Sequence, residues 1–299
     1  MEKNQLSKGS QGYPLHQSAL FKVSSKKRLA KILQASVKSL ENFTETNHLY
    51  LERTEAGKKG KDRKIEEPKS RLKQIQKRIS NLLHRVEKPD YLFCPAKGKS
   101  YIGNALAHAH SIEVRTLDIK AYYQSTSFKK VYQFFLNRMQ CSPDIAHILT
   151  VVTTFKKHLP TGGPASPILA YYSHIQMWEN IYELVSQAGC LMTVYMDDLT
   201  VSGKKIPKGL MWEIKKEVHK HKLEYHKEKR FFSKPCEVTG IMISNAKAKA
   251  PNRRHLRIHK LKQQISVEED PEARKKLEQR LKGSIEEAKQ IHSANLDQI

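Results

Sequence analysis

Apolar positions along the chain recur at two different spacings, and the switches between them mark out the elements. Leu20, Val23, Leu29, Ile32 and Leu33 fit one or two short helices between Leu20 and about Gln34. HLYLER and DRKIEEP flank the glycine and lysine stretch EAGKKGK, which predicts a hairpin. Pro68 opens a helix with Leu72, Ile75, Ile79, Leu82 and Leu83 at helical spacing. Alternation through Ile112, Val114, Thr116 and Asp118 then predicts a strand whose last inward position is an aspartate. Helices are expected through Val131, Phe134 and Phe135, and again through Ile145, Ile148, Leu149 and Val152. After the loop LPTGGPASP, a longer helix carries Ile168, Tyr172, Ile175, Trp178, Tyr182 and Val185 on one face. LMTVY and LTVSG read as strands around the tight turn Met196-Asp197-Asp198. Beyond Pro251 the chain turns basic and helical, ending on an apolar stripe of Leu277, Leu281, Ile285 and Ala288. No repeat of fixed period interrupts this order.

Residues 1–19 are polar, glycine-containing and aperiodic, and are expected to be flexible or ordered by a partner. Charge changes the picture next. Lysine and arginine number 54 against 30 acidic residues, a net charge of +24 spread along the chain, which favours an anionic partner, nucleic acid above all. Cys94, Cys141, Cys190 and Cys236 are far apart, with no C-x-x-C pair, and read as reduced thiols. The N-terminus lacks the apolar core of a signal peptide and no run approaches a membrane span, so a cytoplasmic protein without a membrane partner is expected.

Tyr195-Met196-Asp197-Asp198 puts two carboxylates at a hairpin tip between apolar strands, where they repel and a bound cation relieves the repulsion. An ordinary turn accounts for one aspartate there, since aspartate favours turns. It does not account for VRTLDIK, a second aspartate-ended strand upstream at Asp118. Phosphoryl transfer to a 3′-hydroxyl uses one metal to activate the nucleophile and another to steady the leaving pyrophosphate. Hard Mg²⁺ prefers a few carboxylates plus substrate phosphates, so Asp118, Asp197 and Asp198 are the expected catalytic and metal-holding residues.

The order DIKAYY, LPTGGPASP, YMDD, HKEKR and VTGIMIS resembles the palm motifs of reverse transcriptases, over roughly residues 20 to 292. Asn104-Ala105-Leu106-Ala107-His108 and Val238-Thr239-Gly240 resemble the NAxxH and VTG marks of one branch, the bacterial retron reverse transcriptases. The resemblance implies an α/β right-hand polymerase with fingers, an antiparallel palm sheet backed by helices and a small helical thumb. The expected division is 20–110 for fingers and the start of the palm, 111–250 for palm and 251–299 for thumb. From the compact length, no sizeable RNase H, maturase or endonuclease domain is expected.

Residue by residue, the resemblance makes Tyr123, five positions after Asp118, the gate under the incoming sugar that selects deoxynucleotides, with Tyr122 the alternative. Arg63 and Lys64 match a basic pair whose arginine reaches the triphosphate, and a planar guanidinium suits phosphate. Lys229 of HKEKR occupies the place of a lysine approaching the same group, or is a surface lysine. Thr161 and Gly162 belong to the loop expected to approach nucleotide and template, with Gly162 and Gly163 permitting close backbone passage. Thr161 stands where glutamine is common, and Met196 where retron enzymes most often carry alanine. Asn104 and His108 are read as structural support or RNA contact, not as a catalytic base. Arg253, Arg254, Arg257 and Lys260 are expected to meet RNA, whose phosphates supply affinity and whose shape and loop bases supply selection.

The implied function is copying a cognate noncoding RNA of msr-msd type into multicopy single-stranded DNA, primed at a guanosine 2′-hydroxyl, using two Mg²⁺ ions (Mn²⁺ as a substitute) and dNTPs. Partners implied with it are the DNA product, a retron effector protein in antiphage defence, and host RNase H for template removal. Two rivals stand beside it: a group II-like or other bacterial reverse transcriptase with conventional priming, and an RNA-binding scaffold controlling an effector.

Overall fold

Buried apolar side chains gather into two clusters, and one strand serves both. In the computed structural model, which describes residues 12–43, 46–55, 62–233, 235–245 and 247–294, β-strand alternation sends Leu117 and Ile119 into a large cluster and Val114 into a smaller one.

The chain opens with helices α1 (Lys26–Leu33) and α2 (Val37–Asn42), each capped by a serine hydroxyl, and then the hairpin β1 (Tyr50–Glu55) and β2 (Arg63–Pro68). The predicted hairpin turn EAGKKGK lies outside the described residues save for Glu55. Helix α3 (Ser70–His84) follows, its start two residues beyond Pro68, which still pairs with Tyr50 in the hairpin. Next come β3 (Leu92–Cys94), α4 (Tyr101–Leu106), β4 (Glu113–Ile119), α5 (Tyr122–Ser125), α6 (Phe128–Gln133) and α7 (Pro143–Val151). The single long helix expected after LPTGGPASP is two, α8 (Ser166–Ser173) and α9 (Ile175–Gln187). They part at His174, whose backbone leaves helical geometry while its Nε2 lies 3.2 Å from the Thr126 hydroxyl. Strands β5 (Leu191–Tyr195) and β6 (Asp198–Gly203), helix α10 (Leu210–Lys220) and β7 (Tyr225–Phe232) complete the first unit.

The central sheet runs β3-β5-β6-β4-β7. It is mixed, because β3 lies parallel to β5 while the remaining pairs are antiparallel. That corrects the expectation of a purely antiparallel sheet: LFC is too short to declare itself by periodicity. Ordered structure also reaches back before Leu20. Tyr13 exchanges backbone hydrogen bonds with Arg85 and Glu87, and a Cβ on Gly12 would stand 2.5 Å from the Glu87 nitrogen.

Strands β8 (Cys236–Val238), β9 (Ile241–Ser244) and β10 (Lys247–Lys249) form a separate sheet, followed by α11 (Asn252–Val267) and α12 (Pro271–Ser293). Their cluster takes Ile102, Ala105 and Leu106 from α4, so the C-terminal unit begins near Cys236 and borrows a helix from upstream. A boundary at residue 250 would cut this cluster. The α11–α12 hairpin itself has a thin core: only Leu261, Ala288 and Ile291 are buried in it, while Leu277, Leu281 and Ile285 remain half-exposed. Among the described residues no helix is long and apolar enough to cross a membrane.

Candidate active site

Residues paired directly across a sheet share a face, so the registers of β4 to β7 define the floor of the site row by row. Tyr195, Asp198, Asp118 and Lys227 form the first row. Thr193, Thr200, Thr116 and Lys229 form the second, and Leu191, Ser202, Val114 and Phe231 the third. The opposite face carries Val194, Leu199, Val201 and Leu117 into the large core. A polar face on a sheet whose other side is fully packed is a surface built for a ligand.

Asp118 and Asp198 are thus brought opposite each other, and Asp197 sits between β5 and β6 in a turn whose first residue, Met196, has φ of 58°. That left-handed conformation is unfavourable for a side-chain-bearing residue. It is held by the Met196 amide donating to the Cys94 carbonyl at 2.9 Å and the Ile119 amide donating to the Asp197 carbonyl at 2.9 Å. Met196 is therefore a backbone feature of the turn.

Burial raises the proton affinity of all three carboxyls, and repulsion from neighbouring aspartates adds to it at Asp197 and Asp198. Burial, then repulsion from Asp197 and Asp118, pushes Asp198 up to about 7, only partly offset by Lys229. Burial also raises Asp197, with Asp118 adding to it and Arg63 opposing. Asp118 is raised by burial against the pull of His226 and Lys229. His226 Nδ1 stands 3.8 Å from the Asp118 carboxylate. Sequence reasoning missed His226: the register slips between Asp118 and Ile119, so His226 is an extra residue on β7, and such bulges re-aim side chains without any mark in the periodicity.

Desolvated oxygen donors that repel each other suit a hard divalent cation. Among the described residues, no group of three or more acidic, histidine or cysteine side chains is arranged to hold a metal ion by itself. An open carboxylate site of this kind fits Mg²⁺, which keeps waters and substrate phosphates among its ligands.

Arg63 on β2 lies close enough to act electrostatically on both Asp197 and Tyr123. Lys64, next along the strand, falls on the other side of the hairpin by the pleat, so the basic pair is divided. Tyr123 is half-buried beside Asp197 and Cys94, and its hydroxyl has no hydrogen-bond partner among the described residues. Tyr122 is instead locked inside: its hydroxyl donates to the Ala170 carbonyl at 2.9 Å and accepts from Trp178 Nε1 at 3.0 Å. Of the two tyrosines, only Tyr123 faces the carboxylates with an uncommitted hydroxyl.

Thr161 and Gly162 fasten the glycine loop to the hairpin. The Thr161 hydroxyl donates to the Lys64 carbonyl at 2.9 Å and accepts from the Glu66 amide at 3.1 Å, and the Gly162 amide donates to the Glu66 carbonyl at 3.0 Å. Close approach is the reason for glycine here, but the neighbour is β2.

Asn104 and His108 are almost entirely buried. Both ring nitrogens of His108 are committed inside, Nδ1 at 2.6 Å from the Ser202 hydroxyl and Nε2 at 2.7 Å from that of Thr193. Asn104 Nδ2 donates to the Thr239 hydroxyl at 3.4 Å. Structural support or RNA contact was expected of this pair, and burial leaves His108 no exposed atom for RNA.

Arg253 donates to both Glu237 oxygens at 2.9 and 2.6 Å, with its side chain still 54% exposed. Arg254 pairs with Glu287 and lies over the Tyr101 ring, 5.6 Å from its centroid. Both arginines tie α11 to its surroundings, and they also line a cleft of about 660 Å³ with Asp198, Thr116, Thr200, Lys229, Gly240 and Arg257. Arg257 continues into a second groove of about 420 Å³ with Lys260, Leu256 and Arg280.

A polar sheet face with facing aspartates, approached by Arg63 of the hairpin and by a basic two-helix unit, is a nucleotidyl-transfer palm in outline, and the comparison with known families agrees. Residues 53–243 match the family model described as reverse transcriptase (RNA-dependent DNA polymerase), and the chain belongs to that family. The particular relatives are retron enzymes. The chain is 30% identical to the retron Se72 reverse transcriptase of Salmonella heidelberg over 247 residues, covering 78% of this chain and 62% of that protein. It is 26% identical to the retron Ec86 reverse transcriptase of Escherichia coli over 235 residues, covering 73% and 71%. A third, the retron Mx162 reverse transcriptase of Myxococcus xanthus, is 26% identical over 212 residues, 63% of this chain and 44% of that protein. The chain therefore spans less than two thirds of the Se72 and Mx162 relatives.

Proposed function

We propose that this chain is an RNA-directed DNA polymerase that copies a cognate noncoding RNA into multicopy single-stranded DNA. The observation carrying the proposal is the in-register pair Asp118 and Asp198 with Asp197 at the adjoining turn, on the open face of the sheet. These carboxylates would hold two Mg²⁺ ions, which supply activation of the attacking hydroxyl and charge neutralisation at the leaving pyrophosphate. Arg63 orients the triphosphate from the hairpin side, with Lys229 adding positive charge from β7. Tyr123 packs under the sugar and leaves no room for a 2′-hydroxyl. Thr161 and Gly162 hold the hairpin, and hence Arg63, at its working height.

In this reading the β1–β2 hairpin with α3 serves as fingers, the mixed sheet as palm and the α11–α12 unit as thumb. Arg257, Lys260 and Arg280 form a phosphate track, and the exposed Leu256 rests against the RNA. The retron relatives support a retron context, and in that context the product is a branched RNA–DNA, primed from a 2′-hydroxyl, that works with an effector protein in antiphage defence while host RNase H removes template. The test is to sequence the nucleic acid that copurifies from native cells and to treat it with a 2′–5′ debranching enzyme. A single DNA joined to one RNA, shortened by debranching, is the expected result. Heterogeneous RNA with no covalently attached DNA would leave the scaffold reading in its place.

A further inference from the structure

The two sequence marks that the chemistry does not use, NAxxH and VTG, meet on α4. At one end of this helix the Thr239 hydroxyl accepts from Asn104 Nδ2 and donates to the Tyr101 carbonyl at 2.8 Å. Tyr101 in turn donates its hydroxyl to Glu287 of α12 at 3.0 Å, and Glu287 pairs with Arg254 of α11. The C-terminal helices therefore stand on α4.

Just past the other end of α4, His108 reaches the central sheet. Its partners are on different strands, Ser202 on β6 and Thr193 on β5, so one imidazole spans the two strands that meet at Met196-Asp197. The Ser111 hydroxyl donates to Ser202 Oγ at 2.8 Å. A neutral imidazole has one donor and one acceptor, so whichever ring nitrogen donates to one hydroxyl, the other accepts from its partner, and both strands are bonded in either tautomer. Ser202 lies on the same face as Asp198, two rows below it, and Thr193 two residues before Tyr195. Hydroxyls from separate strands do not by themselves fix strands against sliding. A fully buried ring bonded to both adds a side-chain link to the backbone ladder that already pairs them.

We propose that His108 is a positioning residue for nucleotide addition. By stapling β5 to β6 while anchored to the helix that carries the C-terminal unit, it fixes the height of the Asp197-Asp198 turn relative to the seat of primer and template. The proposal rests on the assignment of those aspartates as the reacting centre, and it reaches beyond it by naming a fully buried side chain that touches neither metal nor nucleotide. Displacements on the order of 1 Å at a reacting centre cost roughly 100-fold in rate, so a partial loosening is expected to cost about tenfold or more.

The experiment uses the full chain with Thr193→Val, Ser202→Ala and His108→Gln. Thr193→Val keeps the shape and removes one bond, and His108→Gln keeps a donor and an acceptor should smaller side chains at 108 fail to fold. For each, single-turnover extension of a primed RNA template gives the maximal rate and dNTP affinity, with template Kd and melting temperature measured alongside. The expected pattern is a maximal rate down about tenfold or more in Thr193→Val and Ser202→Ala, less in His108→Gln, with template Kd within about twofold of wild type. A lowered melting temperature with an unchanged maximal rate in the folded variants would make the network merely structural and overturn the proposal. So would parallel loss of rate and template binding, which would place its effect at the template seat. Wild type that fails to extend the template at all would instead strike the polymerase reading itself.

Discussion

Gly162→Ala isolates the contact that holds the β1–β2 hairpin over the carboxylates. A Cβ at this position would stand 2.8 Å from the Glu66 carbonyl oxygen and 3.2 Å from both the Glu66 carbonyl carbon and the Glu67 Cα. All three are backbone atoms of β2, so no rotamer change relieves the overlap, and ordinary contact begins at 3.4 Å. The strand must therefore retreat by about half an ångström, loosening the 3.0 Å bond from the Gly162 amide and the two bonds of Thr161. Such overpacking costs about 1–3 kcal/mol. At about 2–4 °C per kcal/mol, melting should fall by roughly 2–12 °C. Because Arg63 rides on β2, the retreat should raise the KM for dNTP several-fold and leave template Kd unchanged. Calorimetry and steady-state extension on a primed RNA template measure both effects. Wild-type melting and wild-type dNTP KM together would refute the claim that this loop sets the height of the hairpin.

Tyr123→Val should raise ribonucleotide incorporation relative to deoxynucleotide in a competition assay, whereas Tyr122→Val should chiefly lower melting, because it breaks bonds to Trp178 and Ala170. The opposite distribution would move the gate to Tyr122. Burial holds His108 and His174 down to about 3 each, against an ordinary value near 6.5, so below pH 6.5 the unfolded chain binds protons that the folded chain refuses. The two histidines should therefore withdraw about 1.4 kcal/mol each between pH 7.5 and 5.5, against the opposite contribution of Asp198, whose raised value favours the folded chain as pH falls, so the stability of wild type relative to His108→Gln in urea should drop by about 1.4 kcal/mol over that range. An identical pH dependence in wild type and variant would contradict the burial argument. Replacing Arg257 and Lys260 with glutamine should weaken RNA binding and lower its salt slope by about one to two, read by filter binding from low to physiological salt, with no change expected if both face solvent alone.

Much of the site was legible because its chemistry is local. Asp118 closes an alternating strand and Asp197-Asp198 follow an apolar one, so a strand and a hairpin already imply facing carboxylates. What could not be read were consequences of pairing. His226 reaches Asp118 through a register slip, β3 joins parallel across a distance in sequence, and His108 finds its partners 85 and 94 residues away. Arg253 and Arg254 look like RNA-binding cations in a basic string, and only the folded chain shows Glu237 and Glu287 waiting for them. The apolar stripe of the last helix predicted a packed face. The structure leaves Leu277, Leu281 and Ile285 half-exposed, since one neighbouring helix cannot cover the stripe.

The most direct measurement is Mg²⁺-dependent extension of a primed RNA template by purified wild-type protein, Asp118→Asn and Asp197→Asn, with RNA binding measured on the same preparations. Each substitution removes a carboxylate from a sheet whose opposite face remains packed, so synthesis should be abolished while melting and RNA Kd stay near wild type. Full extension by either variant would contradict the assignment of these aspartates as the reacting centre.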